Sequence, residues 1–245
     1  MKLCVIAPVN HLDLAQLGDM HFVLAQLVLK YPEYAEFYSK ETKFKIMDNG
    51  AFELGKTLDT DALLEAAKQA QVNEIIAPDV PSMPTRSTKM TIEFFESLGK
   101  DEREAYDWMV VPHGSNLGQF AQNLDKLVTE TEPDTVGYSI LDLYKWNFRL
   151  RPIALFKTLL MLPPHVEVHL LGLDEPLELH AYRHLNVRSV DTSLPISLGY
   201  NYWYLHHDSE EVKHKRVPDD AKLSRFQLDV ATQNILALRR FVHDL

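Results

Sequence analysis

Three aspartates follow short apolar runs directly, in the segments KIMDNGAFE, IIAPDVP and SVDTSLP; they are Asp48, Asp79 and Asp191. One carboxylate can attack an anomeric carbon to form a covalent glycosyl-enzyme, while another moves a proton to and from the leaving group. A third can accept hydrogen bonds from a bound heterocycle, and Phe52 offers an apolar face for stacking such a ring. The pattern favours substitution at an anomeric carbon. The alternatives are that each aspartate caps a following helix and that Phe52 belongs to the core.

Short apolar runs recur along the chain, and a longer amphipathic stretch follows each of them. The predicted strands are residues 3–9, 44–47, 74–77, 108–111, 135–140, 166–171 and 188–190, with 200–205 as a candidate eighth. The predicted helices are residues 60–71, 84–98, 116–129, 150–162, 176–185 and 223–242. Strands that alternate with helices in this way predict crossover connections and a parallel sheet.

Seven or eight such units in 245 residues match the usual size of a (β/α)8 barrel. An open doubly wound sheet is the competitor, but Ala7-Pro8-Val9-Asn10 stands where its Gly-rich phosphate loop would follow the first strand. We expect a single TIM-type barrel domain over residues 1–245, without a zinc-binding subdomain. Residues 206–220 are polar and weakly patterned, which predicts a long loop or excursion.

Because the carboxyl ends of barrel strands meet on one face, polar groups there converge. The groups at the predicted strand ends are Asn10, Asp48, Asp79, His113, the Gly137-Tyr138-Ser139 turn, Gly172 and Asp191. His113 with Asp48 or Asp79 would suit a metal-dependent hydrolase. No His-x-His or His-x-x-x-His pair falls at a strand end, so we expect neither a metal nor another cofactor.

Composition limits the class of protein. The formal net charge is -10, with 46% hydrophobic and 24% charged residues, the balance of a folded globular protein. The single cysteine, Cys4, excludes an intrachain disulfide and a thiolate-rich zinc site. No signal sequence and no apolar run of roughly 18 residues is seen, so we expect a cytoplasmic protein that does not enter membranes.

The excess negative charge lies in one half of the chain. Residues 1–138 carry 12 basic and 22 acidic side chains, whereas residues 139–245 carry 13 of each. Any nucleic acid should therefore contact the second half. The candidate contacts are Lys145, Arg149, Arg151, Lys213, Lys215 and Arg216. The alternative is that these side chains belong to solvated helix faces.

Six segments resemble, in the same order, motifs of the tRNA-guanine transglycosylase superfamily. Asp48-Asn49-Gly50-Ala51-Phe52-Glu53 is similar to Asp-Ser-Gly-Gly-Phe/Tyr-Gln, and Val111-Pro112-His113-Gly114 is similar to Val-Gln-Gly. The remaining segments are Ala77-Pro78-Asp79 (the Asp turn that recognises the base), Val136-Gly137-Tyr138-Ser139-Ile140 (the Gly-rich base-contact strand), His169-Leu170-Leu171-Gly172-Leu173 (Tyr-Leu-Met-Gly-Val) and Val190-Asp191-Thr192-Ser193-Leu194-Pro195 (Phe-Asp-Cys-Val-Leu-Pro).

The resemblance implies a TIM-barrel enzyme that exchanges guanine in a polynucleotide for a free 7-deazaguanine base. It implies that Asp191 is the nucleophile and Asp48 the general acid/base, and that Asp79 holds the N–H edge of the base. The other implied contacts are the backbone around Gly137 and Tyr138, the sandwich of Phe52 and Leu171 around the ring, and His113 and Gly172.

Departures from the family pattern bear on the substrate. The Cys-x-Cys-x-x-Cys…His zinc site is absent, the chain ends soon after the nucleophile region, and His113 replaces the usual Gln. These features resemble compact phage DNA-guanine transglycosylases, which implies DNA as substrate, a host-cytoplasmic location and a flipped-out nucleotide. The alternatives are the same exchange on tRNA and a non-catalytic nucleic-acid-binding relative. The sequence leaves two further alternatives: that the protein forms a homo-oligomer, and that a partner protein helps to hold DNA.

Overall fold

A computed structural model describes residues 1–81, 83–141, 150–205 and 216–245. The strands are β1 (Lys2–Val5), β2 (His21–Leu24), β3 (Lys45–Asp48), β4 (Glu74–Ile76), β5 (Asp107–Val110), β6 (Thr135–Ser139), β7 (Glu167–Leu171) and β8 (Ser189–Thr192). The α-helices are α1 (Ala25–Lys30), α2 (Pro32–Lys40), α3 (Ala51–Leu54), α4 (Thr60–Ala70), α5 (Pro84–Ser97), α6 (Lys100–Ala105), α7 (Leu117–Thr131), α8 (Leu150–Thr158), α9 (Leu194–Tyr200) and α10 (Arg225–His243). Segments of 3₁₀ helix cover Val9–Leu17, Leu159–Met161 and Pro176–Tyr182.

The eight strands form one parallel sheet in the order β1-β8-β7-β6-β5-β4-β3-β2. The two edge strands meet where Cys4 forms an isolated parallel bridge with Met20, so the sheet is nearly closed. Helices flank it on the outside. The predicted (β/α)8 TIM barrel is confirmed, and the carboxyl ends of all its strands face the same side.

The strands are buried because both of their faces are covered, one by the barrel interior and the other by helices. Every residue of β2, β6 and β8 is buried. Helix α4 shows how an outer helix is specified: the Asp59 side chain accepts a hydrogen bond from the Ala62 N–H and caps its start. Its buried face carries Leu63 and three alanines, which allow close packing on the sheet.

Seven of the predicted strands are confirmed to within a few residues, but the eighth is wrong. Residues 200–205 form no strand: Tyr200 ends α9, and Tyr202 turns the chain with a φ of 64°. The eighth strand is β2, which sequence patterning missed because its apolar residues continue without a break into α1, in the run MHFVLAQLVL.

Of two further predicted segments, one differs from the prediction and the other lies partly outside the described residues. The helix predicted for residues 176–185 is the 3₁₀ segment Pro176–Tyr182. Of the predicted polar loop at 206–220, residues 206–215 lie outside the described residues. No helix among the described residues combines the length and the apolar composition that crossing a membrane requires.

Candidate active site

A cavity of about 310 Å³ opens at the carboxyl ends of the strands. It brings together seven of the site residues predicted from the sequence: Asp48, Phe52, Asp79, Leu171, Gly172, Asp191 and Arg216. Ligand sites of TIM barrels lie at this face because loops after several strands contribute to it. The three aspartates therefore share one cavity.

Asp191 is held by hydrogen bonds on one carboxylate oxygen. This buried residue of β8 accepts at Oδ1 from the Gly172 N–H over 2.9 Å, and the same oxygen lies 3.1 Å from His169 Nε2. Gly172 has a φ of 79°, in the left-handed region that glycine adopts without strain. Oδ2 has no hydrogen-bond partner in the part of the chain that the structure describes. Both donors bond Oδ1, so Oδ2 is left for a ligand in the cavity.

Asp48, the last residue of β3, lies in a contrasting environment. Its pKa is raised well above the ordinary value, chiefly by burial and then by the charge of Glu53. Asp79 and Asp191 raise the pKa further, and a 2.9 Å hydrogen bond from the Gly50 N–H to Oδ2 opposes them. A carboxyl group with a raised pKa keeps its proton to a higher pH than usual, which suits general acid/base work. Two carboxyl groups with different environments can thus divide the roles of nucleophile and proton carrier.

Asp79 is fixed by two side chains. Its Oδ1 accepts a hydrogen bond from Asn49 Nδ2 over 2.7 Å, and its Oδ2 lies 2.5 Å from His113 Nε2. Asn49 also donates to the Ala77 carbonyl. Because each oxygen has a second lone pair, Asp79 can still accept from a ligand in the cavity it lines.

His113 does not line the cavity; it is buried behind Asp79. Its prediction as a substrate contact is therefore wrong, since its ring orients Asp79 instead of facing a ligand. No group of three or more His, Cys, Asp or Glu side chains in the described ranges is placed to hold a metal ion. The described residues therefore provide no set of metal ligands for the alternative in which His113 belongs to a metal-dependent hydrolase.

Gly137 and Tyr138 also lie away from the cavity. A Cβ on Gly137 would sit 2.7 Å from a methyl carbon of Leu171, so this position packs inside the barrel. The Tyr138 hydroxyl is 2.7 Å from Thr158 Oγ1 of α8, outside the sheet. Gly137 and Tyr138 themselves do not line the cavity, whereas Ser139 of the same predicted turn does.

Phe52, Glu53 and Arg216 meet at the mouth of the cavity. Phe52 is 56% exposed, so it is not a core aromatic. The Arg216 guanidinium lies 5.3 Å from its ring centroid, and Nη2 is 2.9 Å from Glu53 Oε1. Burial raises the pKa of Glu53 although Arg216 lowers it. Arg216 is the only positively charged side chain among the described residues that line the cavity, and its role toward phosphate stays a prediction.

The segment 216–223, here called the roof segment, is attached to the loop after β1. The Val9 N–H donates to the Asp219 carbonyl over 2.7 Å, and Asn10 Nδ2 donates to the Asp220 carbonyl over the same distance. The Leu223 N–H donates to His11 Nε2. Asn10, a polar group at a predicted strand end, thus holds this segment and does not line the cavity.

Arg151 is fully buried, and its prediction as a nucleic-acid contact is wrong. Its guanidinium makes two hydrogen bonds to Glu178, at 2.6 Å and 2.8 Å, and one to the Gly172 carbonyl at 2.8 Å. It also donates to Tyr182 Oη and to the Leu171 carbonyl. Arg151 therefore fixes the turn that presents the Gly172 N–H to Asp191. The other predicted contacts lie outside the described residues: Lys145, Arg149, Lys213 and Lys215.

Replacing Arg151 with Met is expected to destabilise the fold by about 3–5 kcal/mol, because the charge of Glu178 would stay buried without its partner. For a chain of this size, each kcal/mol lowers Tm by about 2–4 °C. Thermal unfolding followed by circular dichroism measures the change. The control is Arg183→Met at an exposed position, where a change within about 0.5 kcal/mol is expected. Equal Tm values for the two variants would show that the buried ion pair contributes nothing.

Three residues of the site were not assigned from the sequence: Asn49, Glu53 and His169. Asn49 and Glu53 lie in a segment that resembles a transglycosylase motif, and this resemblance could have identified them as site residues. His169 lies in another such segment, where the motif has Tyr. Its contact with Asp191 depends on the pairing of two strands, which the sequence pattern does not specify.

No model of a known protein family and no curated protein sequence matches the chain. What the cavity can do chemically therefore follows from its own residues.

Proposed function

We propose that the protein is a guanine transglycosylase that exchanges guanine in DNA for a free 7-deazaguanine base through a covalent intermediate. The observation that carries the proposal is the contrast between two carboxyl groups in one cavity. Asp191 is held by donors at Oδ1, whereas Asp48 has a raised pKa. A double displacement at C1′ needs one ionised nucleophile and one group that gives up and regains a proton.

In the first displacement, Asp191 Oδ2 would attack C1′ while the bond from C1′ to guanine breaks. The electron pair of that bond leaves with guanine, and the proton of Asp48 passes to the departing base. In the second displacement, Asp48 would take the proton from the ring nitrogen of the incoming 7-deazaguanine. That nitrogen attacks C1′ and releases the Asp191 carboxylate, so both residues return to their starting state.

Recognition of the base falls to groups on the cavity wall. Asp79, held by Asn49 and His113, presents fixed acceptors to the N–H edge of the heterocycle. Phe52 and Leu171 both line the cavity and offer apolar surfaces to the ring. Fixed acceptors favour a heterocycle that carries donors at that edge, as guanine and 7-deazaguanines do.

DNA is proposed over tRNA because the zinc site of tRNA-type members has no counterpart in these residues. The chain has one cysteine, Cys4, and it is buried in β1. The cavity encloses its carboxylates, so a guanine inside a duplex would have to leave the base stack to reach them. Arg216 at the mouth can pair with a phosphate next to the flipped nucleotide.

The test is mass spectrometry of nucleosides after incubation of the protein with guanine-containing DNA or with tRNA, each with candidate 7-deazaguanines. Radiolabelled guanine in place of the deazaguanine measures exchange without a choice of base. We expect modified nucleosides from DNA and none from the same reaction with Asp191→Asn. Modification of tRNA alone would replace DNA as the substrate. Binding of polynucleotide without any exchange would overturn the proposed function in favour of a non-catalytic relative.

A further inference from the structure

We propose that His169 and Ser189 form a positioning pair that orients the nucleophile and leaves its Oδ2 free for attack. This inference rests on the proposed function, because it assigns the pair to Asp191 as a nucleophile. His169 contacts neither the substrate cavity nor solvent, so it acts through Asp191 and is a positioning residue.

The geometry of the pair is set by two neighbouring strands. His169 of β7 and Ser189 of β8 are partners in the strand register, and both are fully buried. His169 Nδ1 lies 2.7 Å from Ser189 Oγ, and Nε2 lies 3.1 Å from Asp191 Oδ1. The imidazole stacks on Phe22 of β2, with ring centroids 5.8 Å apart and an interplanar angle of 9°. Backbone pairing, a side-chain hydrogen bond and ring stacking thus leave the imidazole one orientation.

Hydrogen-bond chemistry assigns the proton. A carboxylate only accepts, so His169 must carry its hydrogen on Nε2 to bond Asp191. In a neutral ring Nδ1 then accepts, and Ser189 Oγ–H is the donor it faces. Ser189 Oγ in turn accepts from Arg188 Nε over 3.3 Å. The contacts therefore form a chain of hydrogen bonds in which each group donates to the next, from Arg188 through Ser189 and His169 to Asp191.

The consequence for Asp191 is a fixed rotation of its carboxyl group. His169 and the Gly172 N–H both bond Oδ1, so the carboxylate plane is held and Oδ2 keeps its lone pairs for a ligand in the cavity that Asp191 lines. Removing the outer-shell partners of metal ligands changes metal affinity or activity by about 10–100-fold, and we expect an effect of the same size for this pair. His169 stands where the resembling motif has Tyr, so this pair is a feature of this chain and not of the motif.

The test measures formation of the covalent enzyme–DNA adduct in a single turnover. His169→Phe keeps an aromatic ring against Phe22 but removes both nitrogen atoms, and we expect the adduct rate to fall about 10–100-fold with KM changed less than about 2-fold. His169→Gln restores a side-chain N–H and should recover part of the rate. Ser189→Ala should lower it by a smaller factor. The matched control is His165→Phe, at an exposed position in the turn before β7, with a wild-type rate expected.

A second measurement does not depend on activity. The ¹⁵N chemical shifts of the histidine side chains report which ring nitrogen carries hydrogen, and comparison with His169→Phe or with His169→Gln assigns the signal. We expect the Nε2–H form for His169 in the wild type, and a changed tautomer balance in Ser189→Ala. An Nδ1–H form, or a wild-type adduct rate in His169→Phe, would overturn the inference.

The inference and the proposed function fail in different ways. If the wild-type protein exchanges base and His169→Phe does so equally fast, only the positioning pair is wrong. If the wild-type protein exchanges no base, the proposed function is wrong, and the ¹⁵N signature then decides whether His169 donates to Asp191. If His169→Phe fails to fold, Ser189→Ala and the ¹⁵N signature still decide the matter.

Discussion

Asp191→Asn is expected to lower base exchange by at least about 10⁴-fold, as removal of the nucleophile does in other covalent enzymes. The amide has nearly the shape of the carboxylate, and its oxygen can still accept from Gly172 and His169, so the fold should persist. It is a poor nucleophile because its lone pairs are delocalised, so the bond to C1′ does not form. Release of labelled guanine from DNA measures exchange, and denaturing electrophoresis measures the covalent adduct.

The matched control for this prediction is Asp125→Asn, an exposed position on α7. The two variants carry the same chemical change, and wild-type exchange is expected for the control. A covalent adduct that still forms in Asp191→Asn at more than a trace would assign the nucleophile to another cavity carboxylate.

The second large effect is expected for Asp48→Asn, a loss of about 10²–10⁴-fold, which is the usual contribution of a general acid or base. The amide cannot give a proton to departing guanine. In the wild type, adduct formation requires protonated Asp48, so its rate should fall as the pH rises through the raised pKa of this group. Single-turnover rates of adduct formation between about pH 5 and pH 9 measure this fall in rate with rising pH. The fall in rate with rising pH should be absent from Asp48→Asn.

Measuring the thermal stability of Asp48→Asn distinguishes a variant that has lost its proton carrier from one that has lost its fold. Because the pKa of Asp48 is higher in the folded chain than its ordinary value of 3.8, neutral Asp48 favours the folded state in acid. That contribution is lost as the pH rises through the folded pKa, where the buried charge becomes a cost. Asp48→Asn removes the cost, so its Tm should exceed that of the wild type at pH 8 and approach it as the pH falls. Each pKa unit corresponds to about 1.4 kcal/mol. A lower Tm at pH 8 would contradict the raised pKa.

Much of the barrel could be predicted because apolar runs and amphipathic stretches have different periods. The failure at β2 has a physical cause: a buried strand and the buried face of α1 are both apolar, so no change of pattern marks the boundary. The opposite error at residues 200–205 arose because aromatic residues are frequent in strands. Here Tyr202, Trp203 and Tyr204 are exposed and follow a helix end.

The carboxylates of the site could be located because strand ends converge in any barrel. Roles that depend on burial and on distant partners could not. Arg151 has the charge of a phosphate contact, but Glu178 is 27 residues away in sequence and neutralises it in the interior. His113 looks like a ligand group until Asp79, 34 residues earlier, is found against its ring. Such pairs are set by the packing of separate elements, and the periodicity of the chain contains no signal for them.

The attachment of the roof segment to the loop after β1 has a consequence for biosynthesis. Contacts such as Val9 to Asp219 join residues about 210 positions apart, and the pairing of β1 among the described residues consists of β8 and the bridge to Met20. Contacts between distant parts of a chain slow folding because a long loop must close before they form. On the ribosome, β1 can pair with its partner strand only after β8 (Ser189–Thr192) has emerged. The mouth of the cavity is thus completed late, and a nascent chain that stops before β8 has Asp48 and Asp79 but neither Asp191 nor the roof segment.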